Sequence, residues 1–137
     1  MGYEILDHTA DVLIRVSGST FGEFLKSSAL AMMDLLTDRE SVEPDVEEVF
    51  EITGETREEL LVRMLSEILY LHHVHKLVFK DIELDIQGGD TITGTIKGEK
   101  FDPAKHELDL DIKAVTYHNL KIARVDDKFI ADIVFDI

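Results

Sequence analysis

Ile82-Glu83-Leu84-Asp85-Ile86-Gln87-Gly88-Gly89-Asp90-Thr91-Ile92-Thr93-Gly94-Thr95-Ile96 is the stretch whose reading decides the fold. Apolar side chains at Ile82, Leu84 and Ile86 alternate with the acids Glu83 and Asp85, and the alternation resumes beyond residue 90 at Ile92 and Ile96, with Thr91, Thr93 and Thr95 between. Successive side chains of a strand point to opposite faces, so a period of two describes a half-buried strand with one face in water. Gln87-Gly88-Gly89-Asp90 has the chemistry of a hairpin connection. The two strands are therefore expected to be antiparallel neighbours.

The same period appears on both sides of this stretch, at Val12, Ile14 and Val16, at Phe50 and Ile52, and at Leu108, Leu110 and Ile112 with Asp109 and Asp111 between. Asp102-Pro103 breaks one strand and Asp126-Asp127 precedes the last. Two segments have the helical period instead. From about Thr20 to Leu36 the apolar residues are Phe21, Phe24, Leu25, Ala29, Met32, Met33 and Leu36; from about Arg57 to His72 they are Leu60, Leu61, Met64, Leu65, Ile68, Leu69 and Leu71. Each opens with a capping-box spacing, Thr20 to Glu23 and Thr56 to Glu59.

The resulting order is strand, strand, helix, strand, helix and then a run of about five strands. That lacks the regular alternation of a doubly wound parallel sheet and predicts an α+β fold, mainly antiparallel sheet layers with two core-facing helices. No repeat or linker divides the chain. The acidic, Pro-containing Glu40 to Glu48 stretch is the one connection of any length, so a single domain over residues 1–137 is expected.

With 137 residues, 45% of them hydrophobic, the chain can bury a core without disulfides or a structural metal. It has no cysteine, which excludes a disulfide scaffold, a thiolate zinc site and a cysteine nucleophile and agrees with a reducing, cytoplasmic setting. No segment reads as a signal peptide or reaches the roughly 20 apolar residues of a membrane span, so a soluble, unprocessed protein is expected. Twenty-nine acidic against fourteen basic residues give a formal charge of −15. Stable contact with a bare phosphate backbone is disfavoured, while cations and basic protein surfaces are attracted.

Three constellations stand out. Asp7-His8-Thr9-Ala10-Asp11 lies before a strong strand and reads either as an Asx or Thr turn or as a source of carboxylates. The last strand ends in Phe135-Asp136-Ile137; Asp136, an oxygen of Ile137 and Asp11 would make a hard-oxygen set suited to Ca²⁺ or Mg²⁺ if the fold joined them, and otherwise Asp136 is a solvated acid. Asp111 to His118 reads as a strand with Lys113, Val115 and Tyr117 on one face and Thr116 and His118 on the other, either a binding surface or an ordinary strand. The histidines of His72-His73-Val74-His75 have two readings as well. His72 and His75 share a helical face and with a carboxylate would select Zn²⁺, Fe²⁺ or Ni²⁺, or the cluster simply favours a helix C-terminus, together with Lys76. No Gly-x-Ser-x-Gly elbow, Walker loop, Gly-x-Gly-x-x-Gly turn, His-Glu-x-x-His helix or EF-hand loop is present.

Asp-His-Thr-Ala-Asp at 7–11, Ile-Lys-Ala-Val-Thr-Tyr-His at 112–118 and Asp-Ile at 136–137 together resemble the signatures of the archeases, and Leu60-Leu61 with Glu67-Ile68-Leu69-Tyr70 is similar to that family's second helix. The resemblance spans essentially the whole chain. It implies an accessory protein, not an enzyme, that partners an RtcB-type RNA ligase in tRNA splicing. In that role it promotes guanylylation of the ligase and its multiple turnover in joining 2′,3′-cyclic phosphate or 3′-phosphate ends to 5′-hydroxyl ends. It also implies a divalent-metal site at Asp11, Asp136 and Ile137, with Ca²⁺ the first expectation and Mg²⁺ or Mn²⁺ the alternatives, and a partner-activating role for Lys113. The acidic charge implies a transient, electrostatically steered complex. Phe129 stands where the family often has Trp, and the 72–75 stretch is richer in histidine than the resemblance leads one to expect. Two rival readings are a metal-dependent hydrolase or nuclease that uses Asp7, Asp11 and Asp136, and a general chaperone or binding module with an exposed apolar face. The three-part signature weighs against both.

Overall fold

Two capping boxes fix where the helices begin in the computed structural model, which describes residues 11–137. Thr20 is extended, and its hydroxyl accepts the Glu23 N–H at 3.0 Å to open α1 (Phe21–Leu36). The Glu23 carboxylate returns to the Ser19 N–H at 3.0 Å, one residue before the cap. α2 (Arg57–His75) repeats both arms, with the Thr56 hydroxyl on Glu59 N–H at 3.0 Å and the Glu59 carboxylate on Glu55 N–H at 2.7 Å. A hydroxyl cap of this kind is worth about 1 kcal/mol. α2 runs past the expected end at His72 to His75, where Lys76 takes a left-handed conformation (φ 57°) and its N–H bonds the Leu71 carbonyl. This end is invisible in the sequence because a lysine occupies the position where glycine ordinarily signals the cap.

The strands are β1 (Asp11–Gly18), β2 (Val46–Thr53), β3 (Leu77–Gln87), β4 (Thr91–Lys100), β5 (Ala114–Val115), β6 (Ala123–Val125) and β7 (Lys128–Asp136). All pairings are antiparallel. One sheet has the order β2-β4-β3 and contains the expected hairpin, with Gly88 and Gly89 at φ 63° and 78°. The other has the order β1-β7-β5, and β6 pairs with β7 beyond β5. The β6–β7 turn places both Asp126 and Asp127 at positive φ, the geometry that matches the twist of a two-residue hairpin. This is the expected single-domain α+β arrangement.

The helices join the sheets. Phe24, Leu25, Met32, Met33 and Leu36 of α1 meet Leu60, Leu61, Met64, Leu65 and Ile68 of α2 in one buried cluster that also contains Phe79, Ile82, Ile92 and Ile96 of the first sheet and Ile133 and Phe135 of the second. Gly94 lies opposite Phe50, and a β-carbon there would strike the Phe50 ring, so this strand position requires glycine for space.

Two strand expectations are corrected. Leu108 to Ile112 forms no ladder strand. Leu108 makes a single bridge to Thr37, and the Asp109 and Leu110 N–H groups bond the Leu36 and Leu35 carbonyls at 2.9 and 3.2 Å, which satisfies the open end of α1. From 112 to 118 only Ala114 and Val115 are strand. The Thr116 hydroxyl accepts the His118 N–H at 3.2 Å, the Leu120 N–H bonds the Tyr117 carbonyl at 3.0 Å, and Asn119 has φ 52°, so a turn ends the strand. Ile112 and Val115 are buried, while Lys113 and Tyr117 are exposed instead of sharing a face with Val115. The expected opening strand lies outside the described residues.

Candidate functional site

The site is built on the β1–β7 ladder. In its register Asp11 is opposite Asp136, Leu13 opposite Val134 and Arg15 opposite Asp132. Alternation sends Ile14, Ile133 and Phe135 to the core, leaving these three pairs on the opposite face. Directly opposed β-carbons are about 4.5–5.5 Å apart, so the Asp11 and Asp136 side chains leave the same sheet face as cross-strand neighbours. Asp11 and Asp136 are exposed, and Ile137 is half-buried against the core, which anchors the end of β7. β5 completes this end of the sheet. Ala114 pairs with Asp136 on its other side, and the Lys113 N–H donates to the Asp136 carbonyl at 2.7 Å. Asp11, Asp136, Ile137 and Lys113, singled out separately in the sequence, therefore lie at one sheet end. Asp7, His8, Thr9 and Ala10, and with them the Asp7 of the hydrolase reading, fall outside the described residues.

The electrostatics of this end are unbalanced. Two like charges directly across an antiparallel pair repel. None of the described ion pairs includes either carboxylate. Two pairs along, Arg15 meets Asp132 through two hydrogen bonds of 2.7 and 3.1 Å, and this contact holds the Asp132 carboxyl below its ordinary range. Between them Asp11, Leu13, Val134, Asp132, His118 and Asn119 line a depression of about 340 Å³. The donor set at the acidic end consists of oxygens alone, which suits a hard divalent cation. Among the described residues, no three His, Asp or Glu side chains already form a cation cage.

The histidine-rich turn is distributed differently from its spacing. His72 Nδ1 lies 2.7 Å from the Leu77 carbonyl, and the His75 ring stands edge-on to Tyr70, so the i, i+3 pair does not share a site. His73 instead faces Asp111, with Nε2 4.0 Å from Oδ1. Sequence reading also missed a cluster around the buried Glu99 and His106, in which Glu99 accepts from Lys105 Nζ at 2.8 and 2.9 Å and from the Glu43 N–H. There His106 Nδ1 accepts the Asp102 N–H at 3.0 Å and Nε2 lies 3.3 Å from Glu99. Lys105 holds the Glu99 carboxyl below its ordinary range. No spacing rule connects Glu99, Lys105 and His106, because the Asp102-Pro103 turn brings them together.

Among the described residues, no helix is long and apolar enough to cross a membrane. The family model of the archease protein family matches residues 3–137. The chain is 42% identical to the archease of Pyrococcus furiosus, covering 98% of each chain, and 38% identical to that of Methanopyrus kandleri, covering all of both. Its fold is similar to the solution structure of protein 1598 of Methanobacterium thermoautotrophicum, with a TM-score of 0.77, 31% identity and 96% of each chain covered. A Thermotoga maritima crystal structure, described as an archease and possible chaperone, has the same fold with a TM-score of 0.72 over 100% of this chain and 98% of that one. With a family match over nearly its whole length and relatives above 35% identity across it, the chain belongs to the archease family.

Proposed function

We propose that the protein is an accessory factor of an RtcB-type RNA ligase in the cytoplasm, where it promotes guanylylation and multiple turnover of the ligase in tRNA splicing. One observation carries this reading: the register that sets Asp11 across from Asp136, with no described partner for the repulsion between them. The residues fit a divalent ion. The two carboxylates and a main-chain oxygen of Ile137 would hold it, Ca²⁺ first with Mg²⁺ or Mn²⁺ as alternatives, and the bound ion would supply positive charge at an otherwise acidic tip. Lys113 contributes in two ways. Its N–H holds the Asp136 main chain in place, and its side chain is exposed, available to a partner's phosphate or carboxylate.

The rest of the molecule favours a transient encounter. A formal charge of −15 steers the protein toward a basic RNA-binding surface, and competition by RNA would displace it after each cycle. Of the exposed large apolar residues, Tyr70 and Val74 share α2, while Leu13, Val49, Leu108, Tyr117 and Val125 are dispersed over other parts of the fold, which offers little support for a chaperone's continuous apolar face. The test is multiple-turnover RNA ligation by a matched RtcB-type ligase with GTP and Mn²⁺, with and without substoichiometric protein. Stimulation beyond one turnover per ligase is expected; ligation unchanged by the protein would refute the reading.

A further inference from the structure

The last turn of α2 holds histidines for which the proposed ligase role has no use. His72 and His73 line a cavity of about 280 Å³ together with Lys76, Phe101, Leu108 and Asp111. His73 Nε2 is buried and has no hydrogen-bond partner among the described residues, although the rest of its ring is partly exposed. The facing carboxylate, Asp111, is 83% exposed, so it is free to move, and it stands 4.0 Å from that nitrogen.

We infer that His73 and Asp111 form a second cation seat, separate from the Asp11 and Asp136 pair, which takes a borderline transition ion with Zn²⁺ as its best occupant. The 4.0 Å gap is too wide for a hydrogen bond. Zinc bonds of about 2.0–2.2 Å to nitrogen and oxygen at the tetrahedral angle place the donors roughly 3.3–3.6 Å apart, so the exposed Asp111 carboxylate would close on His73 by about half an ångström to seat the ion. Imidazole with carboxylate selects Zn²⁺, Ni²⁺ or Cu²⁺ over Ca²⁺. The C-terminal end of α2 adds the negative pole of the helix dipole, which favours a cation.

His72 supplies the nearest further donor. The Leu77 carbonyl can only accept, so His72 Nδ1 carries the proton in that 2.7 Å bond and Nε2 keeps its lone pair. A ring nitrogen bonded to a backbone carbonyl is the usual outer support of a metal-binding histidine. The His72 and His73 ring centroids are 5.2 Å apart, and water fills the remaining positions of the seat. Occupancy would tie the 108–113 segment to α2, two residues before the Lys113 N–H that holds Asp136.

The experiment is calorimetric titration with ZnCl₂ at neutral pH of an Asp11→Ala/Asp136→Ala protein, in which the carboxylate pair contributes no site. One equivalent of Zn²⁺ is expected, and adding His73→Gln or Asp111→Asn should weaken it by about tenfold or more. Circular dichroism checks that each variant is folded, and both positions are exposed enough to tolerate the change. No zinc uptake in the parent, unchanged affinity in both variants, or loss that follows His75→Ala or His118→Ala instead would overturn the inference. Ca²⁺ binding by the wild type without zinc binding by the parent would leave the carboxylate-pair reading standing while this one falls.

Discussion

Two cross-strand pairs on the outward face of the β1–β7 ladder have the same geometry and opposite electrostatics. Arg15 and Asp132 neutralise each other through two hydrogen bonds, whereas Asp11 and Asp136, two pairs along, present two carboxylates in the same relation. The first pair is complete within the chain. The second is stable only because both groups reach water, and a bound cation would convert its repulsion into attraction. The difference teaches that a site can be recognised by the compensation it lacks. The same backbone register makes a structural ion pair when the charges differ and a ligand set when they match.

The comparison yields a graded set of outcomes. The largest concerns activity. Asp11→Ala or Asp136→Ala should return multiple-turnover ligation to the level seen without the protein, while Asp132→Ala should leave stimulation near that of the wild type; equal loss in all three would erase the distinction. Next, Ca²⁺ at roughly 100 times its Kd should stabilise the wild type by about 2.7 kcal/mol in denaturant unfolding, and the Asp11→Asn protein should gain little. A comparable gain in both would show that the ion binds elsewhere. Third, without metal, Asp11→Asn should be more stable than the wild type by about 0.2–1 kcal/mol, because it removes like-charge repulsion across the strands. A destabilised Asn variant would mean that the apo pair is already compensated.

The smallest effect belongs to the complete pair. Arg15 lowers the folded-state pKa of Asp132, so its stabilising contribution is present at pH values above the ordinary carboxylate range and is lost as pH falls through the lowered value. Arg15→Asp should therefore cost slight stability at pH 7, the difference from wild type shrinking in acid and in high salt. Thermal melts at pH 7 and pH 2.5 measure this directly. A difference that persists at the lower pH would assign the role of Arg15 to packing.

How much could be read in advance varies with the source of order. Both helix starts were legible, since Thr20 with Glu23 and Thr56 with Glu59 act within one turn. So was the hairpin at Gly88-Gly89, where local backbone freedom decides the structure. The Leu108 to Ile112 stretch misled because alternating apolar and acidic residues describe an extended chain whether its hydrogen bonds go to a strand or, as here, to the open carbonyls of α1. Lys113 to His118 misled similarly, since the Thr116 hydroxyl and the turn at Asn119 compete with strand pairing.

The candidate site divides along the same line. Residue types offered Asp11, Asp136 and Ile137 only as one reading among others, and it was the resemblance to the archeases that singled them out together with Lys113; charge alone was enough to disfavour stable nucleic-acid binding. Only tertiary structure brought Asp11 opposite Asp136, separated the His72 and His75 that spacing suggested, and set His73 before Asp111. The physical reason is the range of the interactions. Caps, turns and periodicity act over a few residues and are written in adjacent letters, whereas ladder register and the meeting of distant side chains are fixed by the packing of the whole core, which no local pattern records.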